Sequence, residues 1–417
     1  MCERCGGTAT GIPQRDELMR LLTFSTLYPN SVQPFLGQFV EQRLRGILAP
    51  GGIEAKVVAP VPWFPSTSPG FGSYAGFARI PRRERRHGID ILHPRFPVVP
   101  KVGTTLAPFL LALAMRRPLA RLIRDGFDFD AIDAQYFYPQ GVAAVMLGAH
   151  FGKPVLVTGH GTDINILTRL HFPRRLIRRA ANRAAAVVTV ADALRARLIE
   201  IGVHPGQITV LRNGVDLELF RPPGRLPDWP GSELPGKILL SVGNLIELKG
   251  HHLVVEALRQ LDGYSLVIVG QGDMQQRLQN LVRQFGLTAR VRLVEPVPQA
   301  TLADWYAAAD AMILASSREG LPGVVLESLA CDTPVIATDV GGIGEVLKTP
   351  ETGVLLSERT PSAIIAGVRR LFARYPEPGS VRDYAQRFDW QATSQGARAI
   401  LGQISGCREA TMGNANA

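Results

Sequence analysis

Cysteine is scarce, with four among 417 residues. That excludes a disulfide-stapled scaffold and fits a reducing compartment. One pair, in Cys2-Glu-Arg-Cys5, has zinc or redox spacing. A structural zinc site needs four ligands, however; Cys331 and Cys407 stand alone and no paired histidines follow. Residues 1–18, which hold the pair, read as a disordered N-terminal tail. Long apolar runs are missing too. The densest, at 107–115, falls well short of the ~18 residues that a membrane-spanning helix needs. Glu3, Pro13, Asp16 and Glu17 occupy the stretch where a secretory signal keeps an apolar core. These absences predict a cytoplasmic protein. Aromatic residues do not interleave with the basic clusters, so nucleic acid is not an expected partner.

What remains is ordinary globular material, 46% hydrophobic and 20% charged, which excludes wholesale disorder. The formal charge is +10 and is unevenly placed. Residues 1–220 hold 27 basic and 16 acidic side chains, whereas residues 221–417 hold 19 and 20. The first half is therefore expected to meet something anionic. Its basic patches lie at 82–86, 116–124 and 174–183. In the last, Arg174/Arg178 and Arg175/Arg179 sit one helical turn apart. A solvated surface or an anionic bilayer would each account for them.

Apolar runs at 19–24, 55–59, 129–134, 154–158, 186–190 and 208–211 read as buried strands. Between them, 37–48, 105–124, 139–151, 173–184 and 192–201 carry helical patterns. Half of the positions in 221–236 are Pro or Gly, so this stretch reads as a linker. The alternation then restarts, with strands expected at 237–242, 265–269, 291–294, 311–314 and 334–337. Helices are expected at 250–261, 274–285, 301–309 and 323–330. The predicted fold class is α/β: two doubly wound, Rossmann-like domains, 19–220 and 237–390, facing across a cleft. Ligands in such sheets sit beyond the carboxyl ends of the strands. Residues 391–417 are expected to form a C-terminal helix, a candidate to pack back on the first domain, and a tail. Residues 61–102, rich in proline and carrying Arg82-Arg83-Glu84-Arg85-Arg86, are expected to be a surface excursion near the cleft.

The strongest chemical signal is Ser316-Ser317-Arg318-Glu319-Gly320-Leu321-Pro322-Gly323, continuing to Glu327. It follows an apolar strand and opens a helix, with Pro322 where a first helical residue belongs. Unpaired N–H groups at such a start suit a phosphate or sugar oxygen. Glu319 and Glu327 are eight residues apart, or ~12 Å along a helix, and each carboxylate can accept from paired hydroxyls. An ordinary capped helix with solvated acids would look the same in isolation.

The surrounding motifs are more specific. Glu-x7-Glu, followed by residues 328–342 (SLACDTPVIATDVGG), resembles family 4 of the retaining glycosyltransferases, which have the GT-B fold. So do 242–250 (VGNLIELKG), 212–216 (RNGVD) with Phe220, and 269–273 (VGQGD). The resemblance runs from about residue 20 to about residue 390. It implies transfer of a sugar from a nucleotide-diphosphate-sugar donor to a saccharide, lipid-linked acceptor, as in polysaccharide assembly. No metal and no cofactor beyond the donor substrate are implied. Retention is then expected to proceed by front-face attack, the leaving phosphate taking the acceptor proton.

Residue by residue, the resemblance implies that Glu327 holds the donor ribose hydroxyls. Glu319, with the N–H groups of Gly320 and Leu321, holds the transferred sugar. Lys249 binds the diphosphate and neutralises charge as it leaves. Gly270 and Gly272 form a second glycine turn at the nucleotide, and Gly37 brings the 28–40 loop to the diphosphate. His160 faces the donor sugar, either donating to a hydroxyl or steadying positive charge through its backbone carbonyl. Asp163 either orients it or caps a helix. Asn244 is a departure, since many members carry a diphosphate-binding Arg there; Asp332 replaces a common Gly. Asp128-Phe129-Asp130 resembles a metal-binding pair of another transferase fold, but it precedes a strand far from the donor motifs. A nucleotide-sugar epimerase and a catalytically silent sugar-binding homologue are the competing readings. The expected partners are a nucleotide sugar, a glycan acceptor and the anionic inner face of the cell membrane.

Overall fold

The computed structural model describes residues 18–68, 70, 73–98, 103–222 and 229–406. The N-terminal tail up to residue 17, Cys2, Cys5 and Cys407, and part of the expected linker lie outside them. Two sheets organise the chain. The first has eight strands, in the order Ile208–Val210, Ala186–Thr189, Val155–Gly159, Ala131–Gln135, Met19–Phe24, Ile53–Val58, Ile89–Leu92 and Arg83–Arg86. The second has six: Val291–Val294, Tyr264–Val269, Lys237–Val242, Ala311–Leu314, Val335–Thr338 and Gly353–Leu356. All neighbours pair parallel except the last two strands of the first sheet. Parallel strands are covered on both faces and so read as continuous apolar runs. Met19–Phe24 shows this, with Leu21 facing Ala55 on one side and Ala131 on the other, all three buried or half-buried.

The proline-rich 61–102 segment departs from its reading as a surface excursion. Arg83–Arg86 and Ile89–Leu92 form an antiparallel pair that completes the edge of the first sheet. Ile89 and Ile91 turn into the core while Arg83 and Arg85 turn outward. A charged outer strand blunts edge-to-edge pairing, which is why its composition does not look like a strand. Arg86 is not a free surface cation, because it binds Glu41 through Nε at 2.8 Å and Nη2 at 3.3 Å.

The second half of the expected linker is packed. Trp229 is buried, with its ring centroid 6.2 Å from that of Trp305 on helix Gln299–Ala308. The final helix, Trp390–Ser405, starts at Asp389, whose carboxylate accepts from Gln391 N at 3.0 Å. It returns to the first sheet. Ala397 and Leu401, both fully buried, join Leu21, Val40 and Leu44 in one core cluster, and Arg398 Nη1 donates to the Ile47 carbonyl at 2.7 Å. Among the described residues no helix is long and apolar enough to cross a membrane.

Candidate functional site

Five strands of the two sheets end toward one cleft of about 740 Å³. Met19–Phe24 leads into the loop that carries Gly37, and Val155–Gly159 leads to His160. From the second sheet, Lys237–Val242, Tyr264–Val269 and Ala311–Leu314 lead to Asn244, Gln271 and Glu319–Gly320. All of these residues line the cleft, as do Leu321 and Glu327.

Glu319 is held from several sides. Lys249 Nζ and Ser316 Oγ each donate to its Oε1 at 2.6 Å. Both charged side chains are largely withdrawn from water, 17% exposed for Lys249 and 11% for Glu319. The Glu319 backbone carbonyl accepts from Asn165 Nδ2 at 2.8 Å, across a separation of 154 residues. Gly342 N donates to the Gly320 carbonyl at 2.6 Å. A Cβ on Gly320 would lie 1.8 Å from the His160 carbonyl oxygen, and one on Gly341 would lie 2.2 Å from that of Glu319. Three backbone segments, from two different sheets, are therefore stacked without side chains between them. Only glycine permits this. The stack puts the His160 carbonyl against the segment that begins helix Gly323–Ala330.

Glu327 lies within that helix and accepts from Tyr306 OH at 3.1 Å. Burial pushes its carboxyl up to about 7, against the opposing effect of the tyrosine hydrogen bond. Glu327 thus stands at the edge of ionisation near neutral pH.

His160 is placed by neighbours that the sequence reading did not identify. Its Nε2–H donates to Gln135 Oε1 at 2.9 Å, and Gln135 Nε2 donates to Asp133 Oδ1 at 2.7 Å. Phe39 packs on the imidazole, with centroids 4.7 Å apart. Burial first, and then the Arg43 charge, push the imidazole down to about 3, so it is neutral at ordinary pH. The Nδ1 atom is buried and without a hydrogen-bond partner. In this arrangement the ring Nε2 is engaged by Gln135, and the backbone carbonyl is what reaches the seam. Asp163 neither orients the ring nor caps a helix. Its buried carboxylate gathers the N–H groups of Phe137 at 2.7 Å and Gly161 at 2.8 Å, and that of His160 at 3.2 Å.

The remaining glycines divide. Gly37 has φ +65° and lines the cleft; a Cβ there would meet the Leu27 carbonyl oxygen at 2.4 Å. Gly270 and Gly272 do not line it. They pack against Gly243 and Leu245, where a Cβ would strike the carbonyl oxygens at 2.0 and 2.5 Å. The residue between them, Gln271, lines the cleft instead. Lys249 likewise stands behind Glu319. Asp128 pairs with Lys153 Nζ at 2.7 Å, and Asp130 accepts from Arg20 N at 2.7 Å, both at the amino end of their strand and away from the cleft. Among the described residues no three His, Cys, Asp or Glu are grouped to hold a metal ion.

Residues 94–219 match the family model "Glycosyltransferase Family 4" and residues 230–388 match "Glycosyl transferases group 1". A D-inositol 3-phosphate glycosyltransferase of Frankia alni is 30% identical over 299 residues, 64% of this chain and 72% of that protein. The putative teichuronic acid biosynthesis glycosyltransferase TuaC of Bacillus subtilis is 27% identical over 363 residues, 84% of this chain and 89% of that protein. Among solved structures, a sucrose-phosphate synthase from Thermosynechococcus elongatus superimposes with a TM-score of 0.76 at 21% identity, covering 94% of this chain and all of that one. Anabaena HepE in complex with UDP-glucose gives 0.68 at 19% identity, covering 93% and 100%. Sheet order, cleft and sequence thus agree, and the chain belongs to the family 4 glycosyltransferases of GT-B fold.

Proposed function

We propose that this glycosyltransferase takes a sugar from a nucleotide-diphosphate-sugar and passes it, with retention of configuration and without a metal ion, to a lipid-linked saccharide. The observation that carries the reading is the stack at Gly320, which joins the Glu319–Lys249 pair of one half to the His160 carbonyl of the other. The nucleotide lies on the second half, its ribose hydroxyls on Glu327 and its diphosphate near Lys249 and Asn244. HepE, bound to UDP-glucose in its own structure, supports a donor of this class.

The transferred sugar rests on Glu319. Both protein donors to that carboxylate fall on Oε1, so Oε2 is left to accept sugar hydroxyls. The acceptor hydroxyl attacks the anomeric carbon on the face from which the diphosphate departs. As the bond to the acceptor oxygen forms, that to the phosphate oxygen breaks, and the acceptor proton passes to the leaving phosphate. Positive charge developing on the ring is met by the His160 carbonyl, and negative charge on the diphosphate by Lys249, each held in place before reaction. A preorganised cation makes a metal unnecessary for leaving-group stabilisation.

A lipid-linked acceptor is supported by the surface of the first half. Helix His171–Ala181 is preceded by exposed Leu170 and carries exposed Phe172 beside Arg174, Arg175, Arg178 and Arg179. Helix Gly103–Arg124 exposes Leu106, Phe109 and Leu113. Apolar anchors beside arginines suit an anionic bilayer.

Purified protein screened against nucleotide sugars tests the reading, scoring protection from unfolding and slow donor hydrolysis. One donor should stand out, its turnover should persist in excess EDTA, and the product anomer should match the donor anomer by NMR. Donor converted to an isomer without acceptor would instead mark an epimerase, and binding without any turnover a silent homologue.

A further inference from the structure

Charge is distributed unequally between the two walls of the cleft. With the nucleotide sugar on the second half, the wall left to the acceptor is that of the first half, chiefly residues 27–42. Residues 21–42 contain no lysine or arginine. Their one carboxylate, Glu41, is buried and turned to Arg86. What this wall presents to the cleft is amides, Gln33, Gln38 and Gln42, with Val32, Phe35 and Phe39 among them. Val32 is 36% exposed and Phe35 42%. Arg43, the next residue along, is 1% exposed and lies behind the wall, where its charge acts on Asp133. Among the described residues, the charged side chains that line the cleft are Asp216, Glu319 and Glu327, all carboxylates, and Lys249, bonded to Glu319, belongs to the donor side.

We infer that the acceptor end entering this cleft is an uncharged sugar ring, and that a phosphorylated sugar is excluded. Amides exchange hydrogen bonds with hydroxyls in either direction, and the exposed Phe35 and Val32 offer an apolar platform for the C–H face of the ring. Among the described residues that line this wall, a phosphate would meet carboxylates and neutral amides but no cation to replace its water. The inference rests on the transferase reading above and narrows its acceptor. In this respect the chain parts from relatives named for inositol 3-phosphate.

The test uses protein saturated with the nucleoside diphosphate of its donor. Melting temperature is followed on titration with matched sugars, glucose against glucose 6-phosphate and inositol against inositol 3-phosphate. The wild type should respond to the unphosphorylated member of each pair and bind the phosphorylated one at least tenfold more weakly. Gln33→Arg and Gln42→Arg should each tighten the phosphorylated member roughly tenfold or more relative to its unphosphorylated partner, as a charge-assisted hydrogen bond permits. Wild-type binding of the phosphorylated member as tight as that of its partner, or tighter, would overturn the inference, and so would arginine variants that gain nothing. If no nucleoside diphosphate moved the melting temperature, the donor reading itself would fall, and the acceptor assignment with it.

Discussion

Lys249 donates to the carboxylate proposed to hold the transferred sugar, and Asn244, on the same side of the cleft, brings no charge. Lys249→Ala should therefore lower turnover by about 10²–10³-fold, more than in relatives that keep an arginine at the position of Asn244. Adding Asn244→Arg to that variant should restore part of the rate, since a guanidinium suits phosphate oxygens. Steady-state turnover of the three proteins decides it; near-normal rates for Lys249→Ala would place the diphosphate elsewhere. Glu327 adds a pH dependence. Burial pushes its carboxyl up to about 7, and the ionised form accepts best from both ribose hydroxyls, so nucleotide affinity should rise as pH passes upward through 7. Calorimetry on wild type and Glu327→Gln isolates the effect, because the variant keeps only the nucleotide's own titration. Gln135 acts through His160. Gln135→Leu removes the partner that fixes the ring, so turnover should fall while affinity for free nucleotide stays as it was; equal losses would mark a structural role. Glu319, Glu327, Asn244 and His160 were legible in the sequence because each follows an apolar strand in a compact motif. Gln135 and Asn165 were not, since their bonds to His160 and Glu319 span 25 and 154 residues and no local pattern announces them.

Strands and helices were legible wherever burial forces a continuous apolar run or a helical period, as at Lys237–Val242 and Gly323–Ala330. Legibility failed at Arg83–Arg86, whose outer position in the sheet demands the composition of a loop. Helix Trp390–Ser405 shows a third case, in which the element could be read but the strength of its contact could not. Its inner residues occupy a cluster built by strands almost the whole chain away. Leu401→Ala should cost about 2–5 kcal/mol, the range for a fully buried leucine. Thermal unfolding followed by circular dichroism measures it, and a loss below 1 kcal/mol would mean the helix merely rests on the sheet.

At the scale of the molecule, the excess of basic over acidic side chains belongs to residues 1–220, and the exposed apolar residues of helices Gly103–Arg124 and His171–Ala181 lie in the same half. Co-sedimentation with vesicles should rise with the fraction of anionic lipid and fall with added salt. Equal binding to neutral vesicles at every salt concentration would assign the charge another purpose. The return of helix Trp390–Ser405 to the first sheet has a different consequence, one of timing. The second sheet draws all its strands from residues 237–356, whereas a core cluster of the first needs Ala397 and Leu401. A chain emerging from the ribosome at about 5–20 residues per second can finish the second sheet while part of the first still lacks its cover. Until residue 401 emerges, the nascent chain carries an open apolar surface on the side of Val40 and Leu44. The half synthesised first is the half completed last.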